Sequence, residues 1–222
     1  GKIIKEAVEG ADVVTTIDKE IQEVAHSELE KQMIYMGAEH GSVILMEVQT
    51  GYVRAVANLT RIEKGKYAEN FNYAIGHLEV PGSTFKLASY MALLEDKKVD
   101  TNTVVNTPNA GFKVYKHTIT ESHGSLGSIT VKKAFEVSSN VAVSMLVYNN
   151  YSKNPRRFTD YLYKFGLNKP LGLQIPGEGM PVIKNPSNKS WSGMSVAQMA
   201  YGYEMNITPL QMLTFYNSVA NN

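Results

Sequence analysis

Apolar residues recur at helical spacing after Thr15-Thr16-Ile17-Asp18, at Ile21, Val24, Ala25, Leu29 and Met33. This spacing predicts an amphipathic helix from about Lys19 to Tyr35, with Asp18 as its N-cap. Two β-rich runs follow, Ser42 to Glu47 and Tyr52 to Ala57. They flank Gln49-Thr50-Gly51 and read as a hairpin, Gly51 relieving the turn backbone. Between Ser83 and Glu95 the apolar residues Phe85, Leu87, Ala88, Met91, Ala92, Leu93 and Leu94 cover most of a helical wheel. A helix apolar nearly all round belongs inside a core. From Val99 to Ser128 the chain is rich in Thr, Asn, Gly and Ser, with strand-like pieces such as Phe112 to Tyr115. Helical patterns resume at Ile129 to Val137, Val141 to Tyr148 and Arg156 to Phe165. Prolines and glycines predict loop over Pro170 to Pro186. Ser195 to Tyr201 reads as helix, and Thr208-Pro209-Leu210-Gln211 opens a last one. Pro209 suits its first position, and Thr208 with Gln211 forms a capping box.

Helix, hairpin, then many helices is an α+β order, and it argues against a doubly wound parallel sheet. A two-stranded hairpin is rarely stable alone, so either helices cover it or further strands lie outside this chain. The 222 residues, 43% apolar and 19% charged, allow one large domain or two small ones and exclude disorder and coiled coil. A net charge of +1 supplies no global field for nucleic acid or an anionic membrane. The absence of cysteine removes thiol catalysis, Cys-ligated zinc and iron–sulfur clusters. His26, His40, His77, His117 and His123 lack metal-ligand spacing, so neither metal nor cofactor is expected. No apolar run approaches the roughly 18–20 residues of a bilayer span. Gly1 to Glu6 also lacks the apolar stretch of a signal peptide, so any export signal is expected upstream.

Two short constellations carry chemistry. In Pro81-Gly82-Ser83-Thr84-Phe85-Lys86, a serine opens the apolar helix and a lysine follows one turn later on the same side. A serine hydroxyl needs a base within hydrogen-bond reach. A lysine serves only when neutral, which burial and the positive end of a helix both favour. Ser83 could equally be an ordinary cap and Lys86 a solvated charge. The position of Lys86 inside an apolar helix, where an unpaired ammonium is costly, weighs toward chemistry. The second constellation is Ser138-Ser139-Asn140, between two helical patterns. Read alone, it ends one helix and caps the next. Read functionally, its hydroxyl and carboxamide can pass a proton and fix a lysine or a substrate amide.

Together, Ser-x-x-Lys and Ser-x-Asn resemble the penicillin-binding proteins and serine β-lactamases. The flanking text sharpens the resemblance toward the transpeptidase domain of class B penicillin-binding proteins. Val13-Val14-Thr15-Thr16-Ile17-Asp18 with Gln22 is similar to its opening, and Val43 to Asn58 to its first hairpin. Gly127-Ser128-Ile129-Thr130-Val131 is similar to the approach to the second motif. Phe165-Gly166-Leu167, Pro176-Gly177-Glu178, Trp191 and Gly202 through Thr208-Pro209-Leu210-Gln211-Met212 continue in order. The resemblance runs from about Asp12 to Asn222. Glu121 stands where relatives often carry Asp, a departure that argues against a substrate role there. The family's third motif, Lys-Thr-Gly or Lys-Ser-Gly, occurs nowhere in the sequence.

The resemblance implies a penicillin-binding protein transpeptidase or serine β-lactamase-like α+β fold, here incomplete. Residues 1–222 would form one partial domain, with an opening helix and hairpin over 12–58 and a mainly helical region over 81–222. Three of five sheet strands, the closing helix, a pedestal and a membrane anchor would lie outside it, leaving sheet edges that dimer contacts or local disorder compensate. The implied activity is serine D,D-transpeptidation of peptidoglycan stem peptides ending in D-Ala-D-Ala, through an acyl-enzyme that β-lactams also form. Ser83 would be the nucleophile and Lys86 its base. Ser138 would relay a proton to the leaving D-alanine, and Asn140 would hold Lys86 and a substrate amide. Ser139 and Trp191 would meet substrate. Implied partners are a glycosyltransferase and division or elongation proteins, at the outer face of the cytoplasmic membrane. The chain alone is expected to be nearly inactive. A β-lactam sensor or β-lactamase, and a non-catalytic scaffold of the wall-synthesis complex, are the alternatives.

Overall fold

A computed structural model describes residues 10–122 and 124–221. The opening segment Gly1 to Glu6 and His123 lie outside the described residues. Helix α1, Lys19–Met36, starts where Asp18 accepts bonds from the amides of Glu20 and Ile21 at 3.0 and 3.1 Å. It ends at Gly37, whose φ of 60° supplies the left-handed cap. Strands β1, His40–Met46, and β2, Val53–Glu63, form the expected hairpin, with a bulge at Leu45/Met46. A short β3, Lys66–Ala68, extends the sheet in the order β1-β2-β3. Its three residues are too few to show a period in sequence. Leu29 and Met33 of α1 pack on Ala57 and Leu59. Gln22 clasps the open edge of β2, its amide donating to Val56 O at 2.9 Å and accepting from Val56 N at 2.8 Å.

After helix α2, Tyr73–Gly76, a 3₁₀ turn Gly82–Phe85 leads into α3, Lys86–Glu95. The helix expected from Ser83 therefore starts with a tighter turn. Short strands β4, Val104–Thr107, β5, Phe112–Val114, β6, His117–Ile119, and β7, Gly127–Thr130, form two ribbons, β4 with β7 and β5 with β6. Ile129 and Thr130 thus belong to a strand, not to the helix the pattern suggested. The reason is local: Thr130 is extended and caps α4, Val131–Glu136, by accepting from Lys133 N at 3.1 Å. Helices α5, Asn140–Tyr151, and α6, Pro155–Lys164, follow. The expected loop Pro170 to Pro186 contains a two-residue strand, β8, Val182–Ile183. It pairs with β9, Met205–Asn206, beyond helix α7, Ser195–Met199. Helix α8, Pro209–Asn221, closes the order. Its capping box forms both ways: Thr208 N reaches Gln211 Oε1 at 2.9 Å, and Gln211 N reaches Thr208 Oγ1 at 3.3 Å.

The main core gathers Phe85 of the 3₁₀ turn and Ala88 and Leu93 of α3 against Val143 and Val147 of α5, with Met199 and Phe215. Helix α3 is thus central, as its all-round apolarity requires. Two buried serines bond across the core: Ser89 of α3 donates to Ala200 O at 2.8 Å, and Ser144 of α5 donates to Ala197 O at 3.2 Å. At the far end of α3, the buried carboxylate of Asp96 receives Arg157 Nε at 2.7 Å, the other Arg157 nitrogen, and Tyr161 Oη at 3.1 Å. The Arg157 hydrogen bonds hold the Asp96 carboxyl below its ordinary range. Asp96→Ala strands three donor atoms on two side chains of α6. It is expected to cost about 2 kcal/mol, roughly 4–8 °C in Tm by thermal melting. Because the folded-state pKa is depressed, this contribution is complete above the ordinary aspartate value of about 3.9. It disappears as pH falls through the folded-state value, so acid melts of wild type and variant should converge.

Candidate functional site

The Ser83 turn is shaped by its neighbours. Pro81 sits at φ −69°, and Gly82 at φ 55°, a left-handed value that L side chains rarely adopt. Gly82 N donates to Gly202 O at 3.3 Å. The approach is closer than any side chain permits: a Cβ on Gly202 would lie 2.0 Å from Gly82 O. Thr84 Oγ1 donates to Pro81 O, and Tyr216 of α8 donates to Thr84 O, both at 2.7 Å. Ser83 is thus presented, exposed, on a turn fastened from both sides. Its amide belongs to the first helical turn, where N–H groups lack intrahelical acceptors and can meet an anion.

Lys86 is 2% exposed, the first residue of α3 and among the largest fully buried side chains. Its ammonium donates to Ser138 O at 2.5 Å and to Ser138 Oγ at 2.9 Å. Burial pulls its pKa down to about 8, opposed by the charge of Glu121. At pH 7 about a tenth of the amine is then neutral, a fraction that grows as pH rises toward 8. Unfolding would return the amine to the ordinary lysine value of about 10.4. Since the unfolded chain binds this proton more tightly, the folded state gains stability as pH rises from about 8 toward that value.

Ser138 receives the lysine because of its backbone. It sits at φ 55°, a left-handed conformation uncommon for serine. Its N–H donates to Phe135 O at 3.0 Å, ending α4, while its carbonyl turns to Lys86. The next residue, Ser139, is 1% exposed and caps α5 by accepting from Ala142 N at 2.9 Å. Its hydroxyl donates to Glu121 Oε1, and Asn140 N donates to Glu121 Oε2 at 2.9 Å. Ser139 is therefore committed to the helix cap and faces away from solvent, where the resemblance had it meeting substrate. Asn140 Oδ1 is buried with no partner among the described residues, and Lys86 does not reach it. Trp191 packs partly buried against the main core and does not line the cavity described next.

Ser83, Glu121, Gly124, Leu126 and Ser138 line one cavity of about 540 Å³. The two serines share this cavity, and Lys86 is tied to it through its bonds to Ser138. Among the described residues no hydrogen bond joins Ser83 to Lys86; such catalytic bonds commonly tighten only with substrate in place. Glu121, a position where the sequence argued against a substrate role, lines this cavity and holds the start of α5. Its carboxylate anchors the start of α5 and biases Lys86, from a loop 18 positions ahead of Ser139. Glu121→Ala removes two charge-assisted bonds at a helix N-terminus. It is expected to lower stability by about 1–2 kcal/mol in denaturant titrations. Glu121→Asp should restore part of that stability.

The described residues include no group of three or more His, Asp or Glu side chains placed to hold a metal ion, and no helix long and apolar enough to cross a membrane.

A family model described as the penicillin binding protein transpeptidase domain matches residues 41–222. Among curated relatives, a probable peptidoglycan D,D-transpeptidase PbpC of Pseudomonas aeruginosa is 27% identical over 99% of this chain and 39% of its own length. Penicillin-binding protein PbpB of Mycobacterium tuberculosis is 29% identical over 97% of this chain and 32% of its own. The peptidoglycan D,D-transpeptidase FtsI of Escherichia coli is 28% identical over 95% and 35%. The chain thus spans about a third of the length of these relatives. Among solved structures, a peptidoglycan glycosyltransferase from Burkholderia ambifaria superposes with a TM-score of 0.81 at 24% identity, covering 94% of this chain and 61% of that one. The transpeptidase domain of Burkholderia pseudomallei penicillin-binding protein 3 gives 0.79 at 23%, covering 93% and 58%.

Proposed function

The chain belongs to the penicillin-binding protein transpeptidase family, and from that premise we propose that it carries the acylation centre of a serine D,D-transpeptidase that cross-links peptidoglycan stem peptides. One observation carries the reading: a buried lysine of lowered pKa is bonded to the hydroxyl of Ser138, which lines the same cavity as Ser83. Neutral Lys86 accepts a proton as Ser83 Oγ attacks the carbonyl between two terminal D-alanines. The Ser83 amide stabilises the developing oxyanion. Collapse breaks the C–N bond, and the departing D-alanine amine takes the proton from Lys86 through Ser138 Oγ. Asn140 Oδ1 is buried and unpaired among the described residues, and it would accept from a substrate amide only once the site rearranges around the substrate. The amine of a second stem peptide then attacks the ester. A β-lactam follows the first half of this path and stops at the ester. The parent protein would work at the outer face of the cytoplasmic membrane beside a glycosyltransferase and division or elongation proteins.

Fluorescent penicillin tests the reading. We expect slow labelling of the 222-residue chain, lost in Ser83→Ala, with an adduct that survives for hours. Rapid release of the label would favour a β-lactamase. Labelling unchanged by Ser83→Ala would remove the serine from the mechanism. Complete failure of the longer parent protein to acylate would favour a scaffold.

A further inference from the structure

A small cavity of about 180 Å³ lies between α3 and α4 and shares no residue with the Ser83 cavity. Leu87, Tyr90, Met91 and Leu94 supply one wall, because positions three and four apart share a helix face. Val131 and Phe135 of α4 supply the other. The Tyr90 and Phe135 rings meet edge to face at 5.5 Å. At the cavity's end Lys132 N donates to Thr101 O at 3.0 Å, which ties the segment after α3 to the start of α4.

The accessible wall is wholly apolar. Water finds no hydrogen-bond partner on such a wall, and a dry apolar cavity of about 150 Å³ takes benzene. The volume falls below the about 300–1,000 Å³ of pockets for larger ligands. It therefore suits one ring with a short tail. Met91 and the two rings favour an aromatic guest over an aliphatic one, through sulfur–ring and ring–ring contacts.

Lys132 selects the guest's charge. Because the wall is apolar, this exposed lysine contributes its methylene stem and keeps its ammonium at the rim. Among the described residues the ammonium has no hydrogen-bond or ion-pair partner, whereas Lys133 beside it pairs with Glu136 at 3.5 Å. The nearby acids do not oppose an anion. Asp100 is engaged by the amides of Asn102 and Thr103, and Glu95 does not line the cavity.

We propose that this cavity binds a single-ring aromatic carboxylate, with the ring between α3 and α4 and the carboxylate on Lys132. The site owes nothing to the chemistry at Ser83.

The test titrates hydrocinnamate, and its amide as the uncharged counterpart, into the 222-residue chain by NMR. The acid should bind with a Kd of about 1 mM or tighter and move the methyl signals of Leu87, Leu94 and Val131. Leu94→Trp fills the gap from a position that is 38% exposed, and it should weaken the acid by about tenfold or more. Lys132→Met keeps the stem and loses the charge. It should weaken the acid about two- to fivefold, the reach of a surface ion pair, and leave the amide unchanged. Thermal melting checks that both variants fold. Methyl signals that stay fixed up to about 10 mM acid, or wild-type affinity in Leu94→Trp, overturn the site. Wild-type affinity for the acid in Lys132→Met overturns the carboxylate assignment.

Discussion

Lys86→Met is expected to slow β-lactam acylation of Ser83 by about a thousand-fold or more while the chain stays folded. General-base removal alone accounts for about 10²–10⁴-fold. Here the same side chain also orders Ser138, through bonds to both its carbonyl and its hydroxyl, which places the loss toward the upper end. Methionine fills much of the volume and needs no partner, so stability should hold or rise, since a buried ammonium is costly. Stopped-flow labelling measures the first effect and thermal melting the second. A variant that acylates at a tenth of the wild-type rate or faster would show that another group takes the serine proton.

Gly202→Ala should produce the second large effect, though Gly202 touches no substrate. The added Cβ would fall 2.0 Å from Gly82 O and 2.7 Å from Gly82 N, backbone atoms with no side-chain freedom to yield. The residue also sits at φ 91°, strained for alanine whatever the space. A clash with backbone atoms and a strained φ coincide, so roughly 3–5 kcal/mol is expected. Relief would come by moving the Pro81-Gly82-Ser83 turn off α7. A shift of about 1 Å at a reacting group can cost about 100-fold in rate. Gly10→Ala, where nothing lies within 4 Å of the added carbon, is the matching control and should be silent in both assays.

The legible parts of the molecule were those written in short-range patterns. The Asp18 cap, the hairpin about Gly51 and the Thr208–Gln211 capping box each depend on residues within a few positions, and all three form. The Ser83–Lys86 spacing reads directly because both lie on one helical turn. Ile129 and Thr130 misled because β-branched residues at an N-cap and just before it extend the apparent period of the helix that follows. Ser138 looked like a plain helix end, which it is. Nothing in its sequence reveals that a left-handed serine would turn its carbonyl onto a lysine 52 positions earlier. Glu121 was illegible for the same reason, since its partners are set by how a ribbon of three-residue strands meets the start of α5.

The account stands on Lys86 being the group whose ionisation controls reaction at Ser83. The direct measurement is the pH dependence of the acylation rate, with the adduct mapped to Ser83 by mass spectrometry. The prediction is a single ascending limb with its midpoint near the Lys86 value of about 8, absent in the residual activity of Lys86→Met. A rate that stays flat from about pH 6 to 10, or the same limb in the variant, would contradict it.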